Sequence, residues 1–202
     1  IVYDINAKDV KRVDSTENVD IISELGTNTS HLLFNTAMEP MDNELVRQAI
    51  WYGVDMESAV KVAYDDFGQL AMGWITPGIK GEDPDIASKF PKRDVEKAKQ
   101  LLVEAGYPDG LSLSIVVASN NQERCDMAET FQAQLAEVGI DLKVDIREAS
   151  TWNSIILEGK HQMTIYGFSC SDFEADRALV QLMPSNVNYN LCNFDNKEFQ
   201  DI

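Results

Sequence analysis

Few residues in this chain have the type and spacing to do chemistry. His31 and His161 stand 130 positions apart with no HExxH context, so a histidine-centred metal site has little support. Cys125, Cys170 and Cys192 are odd in number and show no CxxC spacing. They fit neither a disulfide framework nor a zinc site, and they read as small buried or half-buried thiols, with one disulfide left open. GxSxG, P-loop and GxGxxG patterns are absent. Carboxylates are plentiful, but a hydrolytic pair would have to converge across a cleft, which spacing alone does not show. Four positions remain. Arg124, in "ASNNQERC", follows a strand and opens a helix, where a guanidinium can pair with a carboxylate. Asp172, in "SCSDFEAD", leaves the strand "MTIYGF" at its C-terminal end, where ligands collect in open α/β sheets. Trp74 and Trp152 are large enough to line a pocket, although Trp152 shares helical spacing with Ile155 and Ile156 and reads as core.

The elements that must hold these residues follow from periodicity. In "NTAMEPMDNELVRQAIWYGVD" (35–55), Pro40 and Met41 are expected to bring the chain in extended, with Asp42 as N-cap. Leu45, Val46, Ala49 and Ile50 form the apolar stripe of a helix over 43–53. Arg47, on the polar side, is placed to tie the corner through carboxylates or carbonyls. Gly53 ends the helix, and Asp55 caps another over 56–65. Residues 67–91 are a long Gly- and Pro-containing connection, either functional or a structural arm. Asp94 caps a helix that Gly106 stops. "LSLSIVV" (111–117), a helix over 123–138 ended by Gly139, and the alternating "IDLKVDI" (140–146) make a βαβ unit with parallel strands. A helix at 152–157 and a strand at 163–168 repeat the pattern. Residues 1–34 read as an irregular entry, with a strand at 1–5 and another in "HLLFN". The class is α/β.

Composition narrows the partners. The 202 residues carry 17 basic against 34 acidic side chains, a net charge of -17. Such a surface repels nucleic-acid phosphate and anionic lipid, so no nucleic-acid partner is expected. With 44% hydrophobic and 25% charged residues the chain is ordinary for a globular protein. No apolar stretch reaches the roughly 20 residues that span a bilayer. Beginning at Ile1 and stopping at Ile202, it reads as a piece of a longer protein.

Five stretches, taken in order, carry a family resemblance. "LLFNT…PMDNELVRQAIWYGVD" resembles the signature of the peptide/nickel-type (family 5) solute-binding proteins of ABC importers. It matches at Phe34, Asn35, Pro40, Val46, Arg47, Gln48, Ala49, Ile50 and Asp55, with Met41 in place of a usual Phe. "DVEKAKQLLVEAGYPDGLSL" and "AETFQAQLAEVGIDLKV" are similar to the next helices and strands of that family. "LEGKHQMTIYGFSCSDFEAD" sits at its Gly-x-Tyr-Asp-Met strand, and "NYNLCNFDNKEFQDI" at its late Asn-rich loop. Gln162 replaces the customary aspartate, and Phe168 or Ser169 stands in the place of a tryptophan.

The resemblance implies the second lobe, residues 1–202, of a two-lobed fold that closes on its solute about a hinge, with a mixed sheet flanked by helices. It implies a binding protein rather than an enzyme, working as a monomer with a membrane-embedded ABC permease. The expected location is extracytoplasmic, in the periplasm or as a cell-surface lipoprotein, and no cofactor or metal is implied. The expected solutes are oligopeptides or dipeptides; nickel chelates, oligosaccharides, a non-transport receptor role and hydrolysis are the alternatives. Among residues, Asp172 would capture a peptide α-amine, Arg124 would lie near a carboxylate, and Phe168, Ser169 and Cys170 would line the site.

Overall fold

The computed structural model describes residues 5–83, 85–169, 175–186 and 189–200. Four strands form one mixed sheet in the order β1-β4-β2-β3. They are β1 (Asn28–Phe34), β2 (Leu111–Ala118), β3 (Ile140–Arg147) and β4 (Met163–Ser169). β2 runs parallel to β3, in register from Leu111 opposite Ile140, and parallel to β4 at Ile115 opposite Met163. β1 runs antiparallel to β4, with Asn28 opposite Ser169 and Phe34 opposite Met163. The β2–helix–β3 unit expected from the alternation is present as a parallel pair.

Helices cover both faces. α1 is Ala7–Asp14, α2 Glu44–Gly53, α3 Met56–Tyr64, α4 Ile86–Lys89, α5 Val95–Glu104, α6 Gln122–Ala136 and α7 Ala149–Leu157. On one face, Val46, Ala49 and Ile50 of α2, Leu101 and Leu102 of α5, and Phe131 and Leu135 of α6 bury Leu113, Ile115, Ile140, Leu142, Met163 and Ile165. On the other, Trp152 and Ile156 of α7, with Leu191, pack on Leu33, Val116 and Ala118. Alternation along each strand sends successive side chains to opposite faces, so a strand can serve both layers. Trp152 is core, as its spacing indicated, and its indole N–H donates to Thr164 Oγ1 at 3.0 Å.

Several local expectations change. The N-cap of α2 is Asn43, whose Oδ1 accepts from Leu45 N at 3.0 Å, not Asp42. Pro40 and Met41 lie in a turn rather than an extended entry, and Met41 is fully buried. Arg47 is the corner tie, donating to the carbonyls of Met41 (2.6 Å) and Asp42 (3.1 Å). Gly53 ends α2 for a packing reason: a Cβ there would meet Leu135 Cδ2 at 2.9 Å and Val138 Cγ2 at 3.0 Å. Asp55 and Asp94 do cap α3 and α5. The irregular entry contains α1, an eight-residue helix whose short apolar stripe is Ala7, Val10 and Val13, with Ala7 and Val10 buried. The strand expected over 1–5 lies outside the described residues except Ile5, which is not in a strand.

Candidate functional site

The antiparallel pairing of β1 with β4 decides where the site forms. It brings the start of β1 to the C-terminal end of β4, beside the C-terminal end of β2 and the opening turn of α6. Thr29, His31 and Leu33 point to the α7 face with Tyr166 and Phe168 of β4, while Ser30 and Gly167, opposite each other, point to the α6 face. One strand end therefore presents an aromatic surface on one side and a polar seat on the other.

On the aromatic side, Phe168 stacks on His31 with ring centroids 4.7 Å apart and planes 1° from parallel. Trp74, from the 67–91 connection, tilts against both, at 4.6 Å from His31 and 5.1 Å from Phe168. Its indole N–H donates to the carbonyl of Ala178, which fastens the connection to the far end of the chain. Thr29 and Thr76 share a buried hydroxyl–hydroxyl bond of 2.7 Å below the cluster. Burial pushes the His31 imidazole down to about 4, so it is neutral at physiological pH, and its Nε2 is buried with no hydrogen-bond partner among the described residues. A buried imidazole nitrogen left unpaired carries a desolvation cost.

On the polar side, Asn121 caps α6 by accepting from Arg124 N at 2.9 Å, which fixes Arg124 in the first turn. Its Nε donates to Ser30 Oγ at 3.4 Å. Desolvation lowers the guanidinium's pKa, with Tyr64, Tyr166 and Glu123 acting in the opposite sense. Arginine nonetheless stays charged. Among the described residues Arg12, Arg93 and Arg147 each pair with a carboxylate and Arg47 holds carbonyls, whereas no carboxylate forms an ion pair with Arg124. Ser169 Oγ shares a 3.0 Å bond with Thr27 Oγ1 at the rim.

A cavity of about 490 Å³ runs beside β1, between that edge strand, α3 and residues 67–77. His31, Phe34, Tyr64, Met72, Trp74 and Met127 are among its walls, and Glu24 is the charged residue that reaches it. Its size falls within the usual range for small-molecule sites. The 67–91 connection is thus part of the cavity wall.

Of the residues expected at the site, Arg124, Phe168 and Ser169 gather at this strand end, while Asp172 and Cys170 lie outside the described residues. Trp74 lines the cavity, as its size suggested. Spacing gives His31 little support as a metal ligand and assigns it no other role; its place beside Phe168 depends on the β1–β4 register, for which spacing gives no signal. Among the described residues no three His, Cys, Asp or Glu side chains cluster as a metal site. Gln162, where the resembled family has an aspartate, accepts from Ser114 N at 2.9 Å and donates to Glu39 O at 3.1 Å, so it links β2 to the corner before α2. Cys125 and Cys192 are free thiols, both with pKa raised by burial, Cys192 to about 12.

Residues 1–190 match the sequence profile of the bacterial extracellular solute-binding proteins, family 5 middle region. The chain belongs to that family. It is 32% identical over 200 residues to the heme-binding protein A of Haemophilus influenzae, covering 96% of this chain and 36% of that protein. It is 28% identical to the dipeptide-binding protein of Escherichia coli K12, covering 98% and 38%. Among solved structures, the periplasmic binding protein DppA of Helicobacter pylori in complex with the peptide STSA superposes with a TM-score of 0.89 at 28% identity. That match covers 97% of this chain and 38% of that one. The dipeptide-binding protein of Pseudoalteromonas sp. SM9913 in complex with Met-Leu gives 0.87 at 26%, covering 96% and 39%. The chain thus spans under two-fifths of the length of these relatives, which are solute-binding proteins rather than enzymes, and corresponds to one lobe of their fold.

Proposed function

We propose that this chain, residues 1–202, is a single α/β lobe that grips a small peptide in a monomeric extracytoplasmic solute-binding protein, either periplasmic or anchored as a lipoprotein. That protein delivers its cargo to a membrane-embedded ABC permease. Hinge closure would bury the solute between this lobe and a second one, each supplying part of the enclosure. The observation that carries the reading is the pairing of opposites at one strand end: a desolvated guanidinium with no ion pair among the described residues beside an aromatic wall. Arg124 offers charge to a solute carboxylate, and Phe168, His31 and Trp74 offer apolar contact to whatever lies beside it. The names of relatives support peptides as the class, since two of them are dipeptide-binding proteins and one holds STSA.

Asp172, with Cys170 and Ser169 on the same stretch, is proposed to meet the peptide α-amine. An ammonium and a carboxylate brought together away from water are costly to separate, and removing one partner of such a pair typically costs about 2–5 kcal/mol. In the full-length protein, Asp172→Asn is expected to weaken a free-amine peptide by roughly 1.5 to 3.5 decades, at about 1.4 kcal/mol per decade. N-acetylation of the peptide should produce a similar loss in wild type and little further loss in the variant, both read by titration calorimetry. Unchanged affinity of Asp172→Asn for the free-amine peptide would remove Asp172 from the site.

A further inference from the structure

Arg124 does not reach into open space. Its guanidinium packs against β4 at Gly167. A Cβ built on Gly167 would stand 2.1 Å from Arg124 Nη2 and 3.2 Å from its Cζ, well inside contact distance. The guanidinium thus occupies the volume that any other residue at 167 would fill. Ser30 sits directly opposite Gly167 on β1 and receives the Nε–H, so the two strands together form a floor and a stop for the cation. Asn28, the next β1 residue on that face, would come within 3.3 Å of the same Cβ. The backbone at Gly167 lies within β4 and is not left-handed, so the glycine answers no conformational demand. Its absent side chain is explained by the arginine.

We infer that Gly167 and Ser30 are positioning residues: they seat Arg124 so that its guanidinium is held ready, with no ion-pair partner among the described residues, for a carboxylate of the solute. This rests on the reading of Arg124 given above and adds what makes that reading possible. A freely rotating arginine in so acidic a chain would find one of its 34 carboxylates. Held on Gly167, with its Nε–H committed to Ser30 Oγ, it forms no ion pair with a carboxylate among the described residues, Glu123 of its own helix included. Preorganised donors are worth more than flexible ones, since less rotamer freedom is lost when the ligand arrives.

The consequence is a substitution that spares the fold and moves the charge. Gly167→Ala adds one methyl group where the clashing atom is the far end of a long side chain, so Arg124 must swing off the floor while β4 keeps its backbone. The test uses the full-length protein and three probes: the tripeptide Ala-Glu-Ala, its C-terminal amide, and Ala-Gln-Ala. The amide and the glutamine peptide separate the two sources of a carboxylate. Wild type is expected to bind one of these two at least about 20-fold more weakly than Ala-Glu-Ala, the low end for losing one partner of a buried charge pair. In Gly167→Ala that ratio should fall to within about 3-fold of unity, with binding of the weaker probe and the thermal midpoint little changed. Arg124→Gln should erase the ratio as well, and the double variant should go no further, as expected for two residues acting through one group. Ser30→Ala should give a partial loss. If Arg124→Gln erases the ratio and Gly167→Ala leaves it intact, the positioning inference is wrong and the anion reading survives. If neither variant changes the ratio, or wild type shows none, the anion reading itself falls.

Discussion

Along β2, β3 and α6, apolar side chains meet apolar side chains, and the caps at Asn121 and Asp94 hold their expected amides. Along β1 and the outer end of β4 the pattern differs. There, among the described residues, an imidazole nitrogen is buried without a partner, a guanidinium forms no ion pair with a carboxylate, and a cavity of about 490 Å³ follows β1. Both regions belong to one sheet and are built from strands of similar length. The first spends its side chains on stability. The second holds groups that cost stability unless something binds, which is how a recognition surface differs from a core.

The comparison can be broken first where it expects the largest effect. Phe131 is almost fully buried in the α6 layer, so Phe131→Ala is expected to cost about 3–5 kcal/mol by denaturant unfolding. A loss below about 1 kcal/mol would mean that this half is not the better packed one. In the other half, His31 supplies a pH signature. The unfolded imidazole takes its proton near 6.5 and the folded one only near 4, so between those values the unfolded chain binds more protons. Stability conferred by the neutral, buried imidazole is therefore full above about pH 6.5 and is lost as pH falls through about 4. A depression of that size corresponds to about 3 kcal/mol. His31→Phe should flatten this slope in unfolding curves taken from pH 7 to 4, whereas an unaltered slope would exclude His31 as its source.

Two smaller effects sharpen the reading of the packed half. Gly53→Ala is expected to destabilise by about 1–3 kcal/mol, because its methyl group would press on Leu135 and Val138 of the α6 layer. Thermal unfolding would show it, and a neutral result would mean that α2 shifts freely. Asn43→Ala should cost about 1 kcal/mol as a lost N-cap, against little for Asp42→Ala. The reverse order would restore the cap to Asp42.

Much of the packed half was legible in the sequence because its signals are local. "IDLKVDI" alternates strictly, Asp94 and Gly106 bracket a helix, and each of these acts within a few residues. The N-cap was placed one residue early because Asp42 and Asn43 are both good caps, and the turn through Pro40 and Met41 decides between them. α1 gives a weak sequence signal because its apolar stripe, Ala7, Val10 and Val13, spans barely two turns between charged residues. The recognition half was legible only in part. Arg124, Phe168 and Ser169 could be named from their places in the chain, but the joining of His31, Phe168 and Trp74 is a matter of strand register and loop path. A one-residue slip of β1 would send His31 to the opposite face. Gly167 gave no signal either, since the reason for its missing side chain lies on another element, in Arg124.

The most direct test is native mass spectrometry of the full-length protein after mild purification. The account expects a bound species of peptide mass that is released on unfolding, returns when short peptides are added, and is lost or greatly reduced in Arg124→Gln. A folded protein that carries no solute, and gains none from a mixture of short peptides, would contradict it.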